Sequence, residues 1–383
     1  MNDNLYIHYQ WIEIRSGDQS IIFYIISFSK LYSMLLSEKN QFLRESFRLN
    51  AVLLLKCNDN LVLMKSAVDE LYRVASYITD VRIEQIGNDK DMMLPSGKAI
   101  STAAAAHCML EMKRTAIFLR GIHKAITGRL VKVKTRPIRI LYVGPGPFGT
   151  LLTPLLHLYG GNDVLVDFIE INPDSLLALQ KLTDALDLNR YIHDRYCSDA
   201  TSFRITKSYD IAISETMLAC LKSEPQIAIM QNLIPQLKKS CIFIPEGISI
   251  DATLTNPAME MENLIYHENE QAPLERYLLG NIFRINKLTI NDILQHKIIL
   301  IPDDVADFTV LKLFTTVRVY KDEMLSENDS SITLARQYYD LRQQPVSEVE
   351  FWYIQGEKPR IESRIVQFAL LPKTIKSQGC QND

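Results

Sequence analysis

Hydrophobic and polar residues alternate in three different ways along the chain. The first third carries apolar residues at the three-to-four-residue spacing of amphipathic helices, most clearly in an alanine-rich stretch that ends before Gly128. The middle alternates short apolar runs with helical stretches, and the last third is rich in β-branched and aromatic residues. These patterns predict a helical N-terminal region, a central α/β domain and a β-rich C-terminal domain. The predicted boundaries are 1–135, 136–247 and 248–383, with N-terminal helices near 20–57, 62–80 and 101–126.

The middle part has the alternation of a doubly wound, Rossmann-like parallel sheet. Continuous apolar runs such as 164–169 are typical of strands that are covered on both faces. The predicted strands lie at 138–143, 164–170, 192–198, 209–214 and 241–245, with helical stretches at 150–159, 174–187 and 225–238. After Pro245 this alternation stops. The strands of the β-rich, partly barrel-like domain are predicted at 248–254, 298–301, 308–320, 331–335, 349–354 and 363–370.

Composition and charge exclude several classes of protein. Hydrophobic residues make up 47% and charged residues 23% of the chain, which is a globular rather than a disordered composition. A net charge of −3 gives no reason to expect a nucleic-acid partner. The six cysteines form no Cys-x-x-Cys pair and the histidines are dispersed, so neither a disulfide framework nor a metal site is predicted. The apolar stretch at 21–36 is too short and too polar to span a membrane, and we expect a cytoplasmic protein.

A glycine loop stands at the start of the central domain. Gly144, Gly146 and Gly149 follow the first predicted strand and precede a helical stretch. This arrangement brings backbone close to a nucleotide-like ligand in α/β proteins. Proteins that bind NAD, FAD or S-adenosylmethionine all use it, so the loop alone leaves the ligand open.

Acidic residues follow the next three strands. Glu170 can accept hydrogen bonds from both hydroxyls of a ribose. The alternative role of helix N-cap is assigned to Asp174 instead. Asp199 suits the exocyclic amine of adenine, with a solvent-facing turn residue as the alternative. Glu215 ends the fourth strand and Glu224 follows nine residues later. Two carboxylates from one loop can clamp a planar cation, although Glu224 beside a proline could also cap its helix.

These residues together resemble a class I S-adenosylmethionine-dependent methyltransferase. Within that group, Ser214-Glu215-Thr216-Met217 with Glu224 is similar to the double-E loop of the protein arginine methyltransferases, and Phe243-Ile244-Pro245-Glu246 resembles the family's turn into its β-barrel. Upstream, Met109-Leu110-Glu111 with Arg114-Thr115 resembles a family helix that covers the cofactor. The resemblance implies S-adenosylmethionine as cofactor, S-adenosylhomocysteine as product, a homodimer, and Arg114 as partner of the methionyl carboxylate.

The chain departs from that family at the acceptor side. The family's Thr-His-Trp motif has no counterpart, since Trp11 and Trp352 are the only tryptophans, and Ser223 replaces the usual tyrosine before the second glutamate. We therefore expect Glu215 and Glu224 to hold a guanidine or amine of a small molecule or peptide-like acceptor for N-methylation. The alternatives are a synthase that transfers the aminobutyryl group, a dehydrogenase that uses NAD, and a non-catalytic module that binds S-adenosylmethionine or S-adenosylhomocysteine. His107 is predicted to be a helix-packing residue, with a position at the border of the cofactor as the alternative.

Overall fold

The computed structural model describes most of the chain. For residues 11–16 and 19–24 it describes only the backbone. The described residues are 11–16, 19–24, 36–87, 90–133, 136–265, 274–303, 305, 307–343 and 346–368. The helices are α1 (Leu36–Lys56), α2 (Leu61–Thr79), α3 (Thr102–His107), α4 (Met112–Lys132), α5 (Pro173–Ala185), α6 (Gln226–Leu233) and α7 (Pro257–Ile265). The strands are β1 (Trp11–Ser16), β2 (Gln19–Tyr24), β3 (Met92–Leu94), β4 (Gly97–Ala99), β5 (Ile138–Val143), β6 (Val164–Glu170), β7 (Ile192–Cys197), β8 (Ile211–Ser214), β9 (Ile242–Ile244), β10 (Gly247–Thr255), β11 (Arg276–Asn286), β12 (Lys297–Leu300), β13 (Val310–Tyr320), β14 (Glu323–Leu325), β15 (Arg336–Asp340), β16 (Val346–Ile354) and β17 (Arg360–Phe368).

The central strands form a parallel sheet, as predicted. Its order is β7-β6-β5-β8-β9, and every neighbouring pair runs parallel. The chain moves outward from β5 to β7 and then returns to β8 on the other side of β5. The carboxyl ends of β5 and β8 therefore flank the point where the winding reverses, and open α/β sheets bind their ligands in the crevice at that point.

The N-terminal region is mainly helical, but two predictions there are wrong. A helix was expected from residue 20, whereas β1 and β2 pair as an antiparallel hairpin and α1 begins at Leu36; residues 25–35 lie outside the described part. The helix expected over 101–126 is two helices, α3 and α4, because the backbone leaves the helical conformation at Glu111 (φ −73°, ψ 87°). Gly128 lies inside α4 rather than past its end.

The C-terminal half is β-rich, and its described strands form two antiparallel sheets. One has the order β11-β10-β13-β14 with β15 beside β13, and the other has the order β12-β16-β17. The strand expected at 331–335 is a 3₁₀ turn, Ser331–Thr333, and the strand follows it as β15. Strand β11 and helix α7 are not among the elements predicted from the sequence. The three predicted domain boundaries stay predictions.

Ion pairs join α4 to the β-rich half. Arg120 Nε lies 3.1 Å from a carboxylate oxygen of Glu323, and Lys124 Nζ lies 2.6 Å from the same carboxylate group. Glu323 begins β14, so these contacts fix the helix against the β13–β14 hairpin. They hold the β-rich half beside the helices that cover the edge of the central sheet.

Candidate active site

A cavity of about 390 Å³ lies at the switch point of the parallel sheet, within the size range of small-ligand sites. It is bordered by residues that follow β5, β6 and β8, by the α3–α4 segment and by the β3–β4 hairpin. Seven of the residues predicted from the sequence to form a site line it together: Arg114, Gly144, Gly146, Glu170, Asp199, Glu215 and Glu224. The eighth, Gly149, is not among the lining residues and packs instead against Thr153 and Leu179.

The glycine loop approaches the cavity with its backbone. Gly144 and Gly146 have φ angles of +65° and +61°, which residues other than glycine rarely adopt. Glu170 closes this loop from the next strand, because its two carboxylate oxygens accept the backbone N–H groups of Gly146 and Asn172, each at 2.9 Å. Burial raises the pKa of Glu170, while these hydrogen bonds act in the opposite direction.

Two acidic residues that follow strands, Asp199 and Asp174, have different surroundings. Asp199 lines the cavity and its Oδ1 accepts the backbone N–H and the hydroxyl of Thr201, at 2.8 and 2.7 Å, so it closes its own turn. Asp174 is not the N-cap that the sequence predicts. Asn172 caps α5 instead, since its side chain accepts the backbone N–H groups of Asp174 and Ser175.

Glu215 is buried in an ion pair with Arg114. The guanidinium of Arg114 donates through Nη2 to Oε2 of Glu215, and its Nη1 lies 3.5 Å from an oxygen of Glu111. The other oxygen of Glu215, Oε1, is buried and has no hydrogen-bond partner within the part of the chain that the structure describes. Burial raises the pKa of Glu215, against the lowering effect of Arg114. An acceptor oxygen without a partner inside a cavity is suited to a hydrogen-bond donor on a ligand.

Glu224 is buried in the same cavity and does not cap a helix. α6 begins after Pro225, and no side chain caps it. Burial, together with the negative charge of Glu215, raises the pKa of Glu224 to about 8, despite the opposing charges of Arg114 and Lys98. Pairs of carboxylates with pKa values shifted by burial and by each other are typical of functional sites.

The loop between the two glutamates has an unusual backbone. Cys220, Leu221 and Ser223 all have φ angles between 54° and 72°, in the left-handed region that costs non-glycine residues free energy. Contacts on either side hold it, because the N–H of Ser223 donates to the carbonyl of Pro359 at 2.7 Å and the N–H of Lys98 donates to the carbonyl of Ser223 at 2.8 Å. Such strain persists where the surrounding structure enforces it, and here both the β3–β4 hairpin and the β-rich half do so.

Gly97 lies directly under this loop. A Cβ built at this glycine would lie 2.9 Å from the carbonyl oxygen of Ser223 and 3.0 Å from the nitrogen of Pro225, both backbone atoms. We therefore expect Gly97→Ala to displace Glu224 and to lower the rate of any reaction that uses this carboxylate by roughly 10- to 100-fold, because small displacements of catalytic groups have effects of this size. Steady-state kinetics measures this, with Gly128→Ala, where a Cβ meets nothing within 4 Å, as the control. An equal rate in both variants would contradict the prediction.

Three further polar residues at or beside the cavity were missed from the sequence. Glu111 accepts the backbone N–H of Ser331 at 3.0 Å and its hydroxyl at 2.7 Å, so the β-rich half is tied to the cavity wall. Lys98 also lines the cavity and pairs with Asp91 at 2.6 Å. Glu111 belongs to the Met109–Thr115 segment that resembles the family's cofactor-covering helix, but no pattern in the sequence relates Lys98 or Ser331 to the site. His107, expected to pack within its helix, is exposed and borders the cavity.

A group of metal-ligand side chains lies away from the cavity. Asp167, His193 and Asp194 bring their ligand atoms within 4.8 Å of one another. Lys207 occupies the centre of this group: its Nζ lies 2.9 Å from Nδ1 of His193, 3.5 Å from Asp167 and in hydrogen-bond contact with Asp194. The lysine supplies the positive charge that a cation would bring. The sequence prediction of no metal site stays a prediction.

Comparisons with known proteins give remote likenesses. No protein-family model matches the chain, and no curated protein matches it. Solved structures that resemble it include a Trypanosoma brucei PRMT1 enzyme–prozyme heterotetrameric complex with AdoHcy (9% identity, 69% of this chain and 92% of that chain, TM-score 0.47). Others are protein arginine methyltransferase 10 of Arabidopsis thaliana (11%, 62% and 84%, 0.40) and PRMT6 with SAH (14%, 68% and 99%, 0.46). These three are protein arginine methyltransferases. At these identities and TM-scores the likeness assigns no activity to this chain.

The described residues contain no helix that is long and apolar enough to cross a membrane.

Proposed function

We propose that this chain is an S-adenosylmethionine-dependent methyltransferase that methylates a guanidine or amine nitrogen of a small-molecule or peptide-like acceptor. The observation that carries the proposal is one cavity that combines a glycine loop and Glu170 with two buried carboxylates, Glu215 and Glu224. The glycine loop and Glu170 suit a nucleoside. The two carboxylates suit a nitrogen that carries protons.

The residues of the cavity fit the chemistry of S-adenosylmethionine. Each oxygen of Glu170 accepts one backbone N–H and keeps a second lone pair for a ribose hydroxyl. Asp199 uses Oδ1 for Thr201, so Oδ2 can accept the amine of adenine. Arg114 has five N–H donors, more than Glu215 and Glu111 require, and can also take the methionyl carboxylate. S-adenosylhomocysteine would use the same contacts.

The two glutamates orient the acceptor and accept its proton. Bound S-adenosylmethionine would supply an electrophilic methyl carbon, so the protein contributes mainly alignment and exclusion of water. The free Oε1 of Glu215 and the carboxylate of Glu224 can accept N–H groups of the acceptor and point the lone pair of its nitrogen at the methyl carbon. Because a guanidinium has a pKa above about 12, it loses its proton during the attack rather than before it.

A small or peptide-like acceptor is supported by the enclosure of the site. The β3–β4 hairpin contributes Leu94 and Lys98 to the cavity wall, and the backbone of Lys98 bonds to the loop that carries Glu224. The hairpin, which belongs to the N-terminal region, thus covers Glu224. This arrangement leaves the second carboxylate inside a cavity of limited volume rather than on an open surface.

Labelled S-adenosylmethionine separates this proposal from its rivals. Purified protein incubated with a metabolite extract or basic peptides should transfer the label of the methyl group and leave a carboxyl label behind, with a 14-dalton gain in acceptor mass. Transfer of the carboxyl label instead would identify an aminobutyryl-transferring synthase. Tight binding of S-adenosylhomocysteine without transfer to any acceptor would indicate a binding module, and no binding at all would refute the proposal.

The pH dependence of methyl transfer should follow the ionisation of the Glu224 carboxyl group. Its pKa of about 8 in the free protein means that the carboxylate becomes anionic only as the pH rises through that value. A cationic acceptor requires the anionic form, so kcat/KM for the acceptor should increase between about pH 7 and pH 9. Binding of S-adenosylhomocysteine, measured by calorimetry, serves as the control because it does not require this anion. A flat kcat/KM profile over this range would contradict the assignment.

A further inference from the structure

Gln226 makes three side-chain hydrogen bonds to the chain on either side of Glu215. It is the first residue of α6, two positions after Glu224, and it is fully buried. Its side-chain nitrogen donates to the carbonyl of Ser214 at 3.0 Å. Its side-chain oxygen accepts the backbone N–H and the hydroxyl of Thr216, both at 2.9 Å. Ser214 and Thr216 are the two neighbours of Glu215 in the chain.

These bonds fix the backbone on both sides of Glu215. Strand β8 ends at Ser214, so the next residues have no ladder partner in the sheet. The amide of Gln226 takes the place of that partner, because it holds an N–H donor and a carbonyl acceptor in one plane, as a peptide group does. The direction in which the side chain of Glu215 leaves the backbone depends on the two peptide groups that the amide holds.

Thr216 extends this connection to the glycine loop. A Cβ built on Gly144 would lie 2.5 Å from Cγ2 of Thr216, so the threonine packs directly on the loop. Its hydroxyl is meanwhile bound by Gln226. The amide therefore links three segments: the end of β8, the glycine loop and the start of the helix that follows Glu224.

We propose that Gln226 is a positioning residue that sets the placement of Glu215 relative to Glu224. The proposal rests on the function proposed above. Gln226 is not among the residues that line the cavity, so it acts through the backbone of residues 214–216. Its loss should therefore reduce the rate of the chemical step and leave the cofactor contacts of Glu170 in place.

The test compares Gln226→Met with Gln236→Met. Gln236 follows the same helix and also uses its amide for backbone groups, which are partly buried: it accepts the N–H of Ile205 at 3.0 Å and donates to the carbonyl of Phe203 at 3.1 Å, but it lies outside the cavity. Both variants should lose thermal stability, because both leave backbone groups without partners. Only Gln226→Met should lower kcat, by roughly 10- to 100-fold, with KM and Kd for S-adenosylmethionine changed by less than about threefold.

A second variant keeps the test decisive if Gln226→Met does not fold. In Gln226→Glu, a protonated carboxyl can still donate to Ser214 and accept from Thr216, whereas the ionised form cannot donate. The ratio of its kcat to that of the native protein should therefore rise as the pH falls. The proposal is overturned if kcat of Gln226→Met matches that of Gln236→Met, if the loss lies in cofactor binding, or if the Gln226→Glu ratio does not depend on pH. Absence of any methyl transfer by the native protein would instead refute the proposed function, and the positioning role with it.

Discussion

Replacing Glu224 by glutamine should lower kcat for methyl transfer by about 10²- to 10⁴-fold, the range typical of a group that accepts a proton in the transition state. The same substitution should not lower the stability of the protein. The side chain of Glu224 is buried without a hydrogen bond or ion pair among the described residues, and glutamine keeps its shape while removing a carboxyl group whose charged form burial disfavours. The melting temperature of Glu224→Gln should therefore equal or exceed that of the native protein.

The gain in stability should grow with pH. The folded protein holds the proton of Glu224 up to about pH 8, whereas the unfolded chain releases it near pH 4.3. Between these values the folded state binds more protons, so rising pH lowers the stability of the native protein, and the glutamine variant escapes this loss. Melting curves at pH 6 and pH 9 measure the difference. A variant that is less stable than the native protein at both values would show that Glu224 is held by a structural contact.

Glu215→Gln provides the contrast. It should also reduce kcat, but it removes the partner of a buried Arg114, and breaking a buried pair costs about 3–5 kcal/mol. Two isosteric changes in one cavity should thus reduce activity alike and shift the melting temperature in opposite directions. A Glu215→Gln variant with the melting temperature of the native protein would mean that the ion pair of Glu215 contributes nothing to stability.

The central sheet was predictable because its strands are short, apolar and separated by helices. Ile138–Val143 and Val164–Glu170 have the predicted limits. The interrupted helix at Glu111 was not predictable, since the residues around it are good helix formers and the break depends on contacts with distant residues. Glu111 accepts two hydrogen bonds from Ser331, 220 positions away, and no local pattern contains that information.

The same distinction applies to the site. Gly144, Glu170 and Glu215 follow strands, and the rule that parallel strands end at one edge brings them together. Lys98 reaches the cavity on the three-residue strand β4, where no strand is predicted from the sequence. Gln226 stands beside Glu224 in the chain, but its bonds to the neighbours of Glu215 exist only after α6 packs against β8.

Replacing Arg114 by methionine should weaken binding of S-adenosylmethionine by roughly 10- to 150-fold. A charged hydrogen bond contributes about 1.5–3 kcal/mol, and each 1.4 kcal/mol is a tenfold change in affinity. The same change leaves Glu215 buried and unpaired, so the melting temperature should fall as well. Calorimetric titration with S-adenosylmethionine measures the first effect. The control is Arg120→Met on the same helix, whose partners Asp59 and Glu323 do not line the cavity and which should lose stability alone.

The double variant Arg114→Met with Glu215→Gln separates the two roles of the arginine. Removing both charges eliminates the unpaired carboxylate, and neutral residues of similar volume often replace a buried pair without loss of stability. The melting temperature should therefore recover toward that of the native protein, while the affinity for S-adenosylmethionine should stay low because its carboxylate still has no guanidinium to bind. If affinity recovers together with stability, Arg114 is only the counter-ion of Glu215, and the methionyl carboxylate must bind elsewhere.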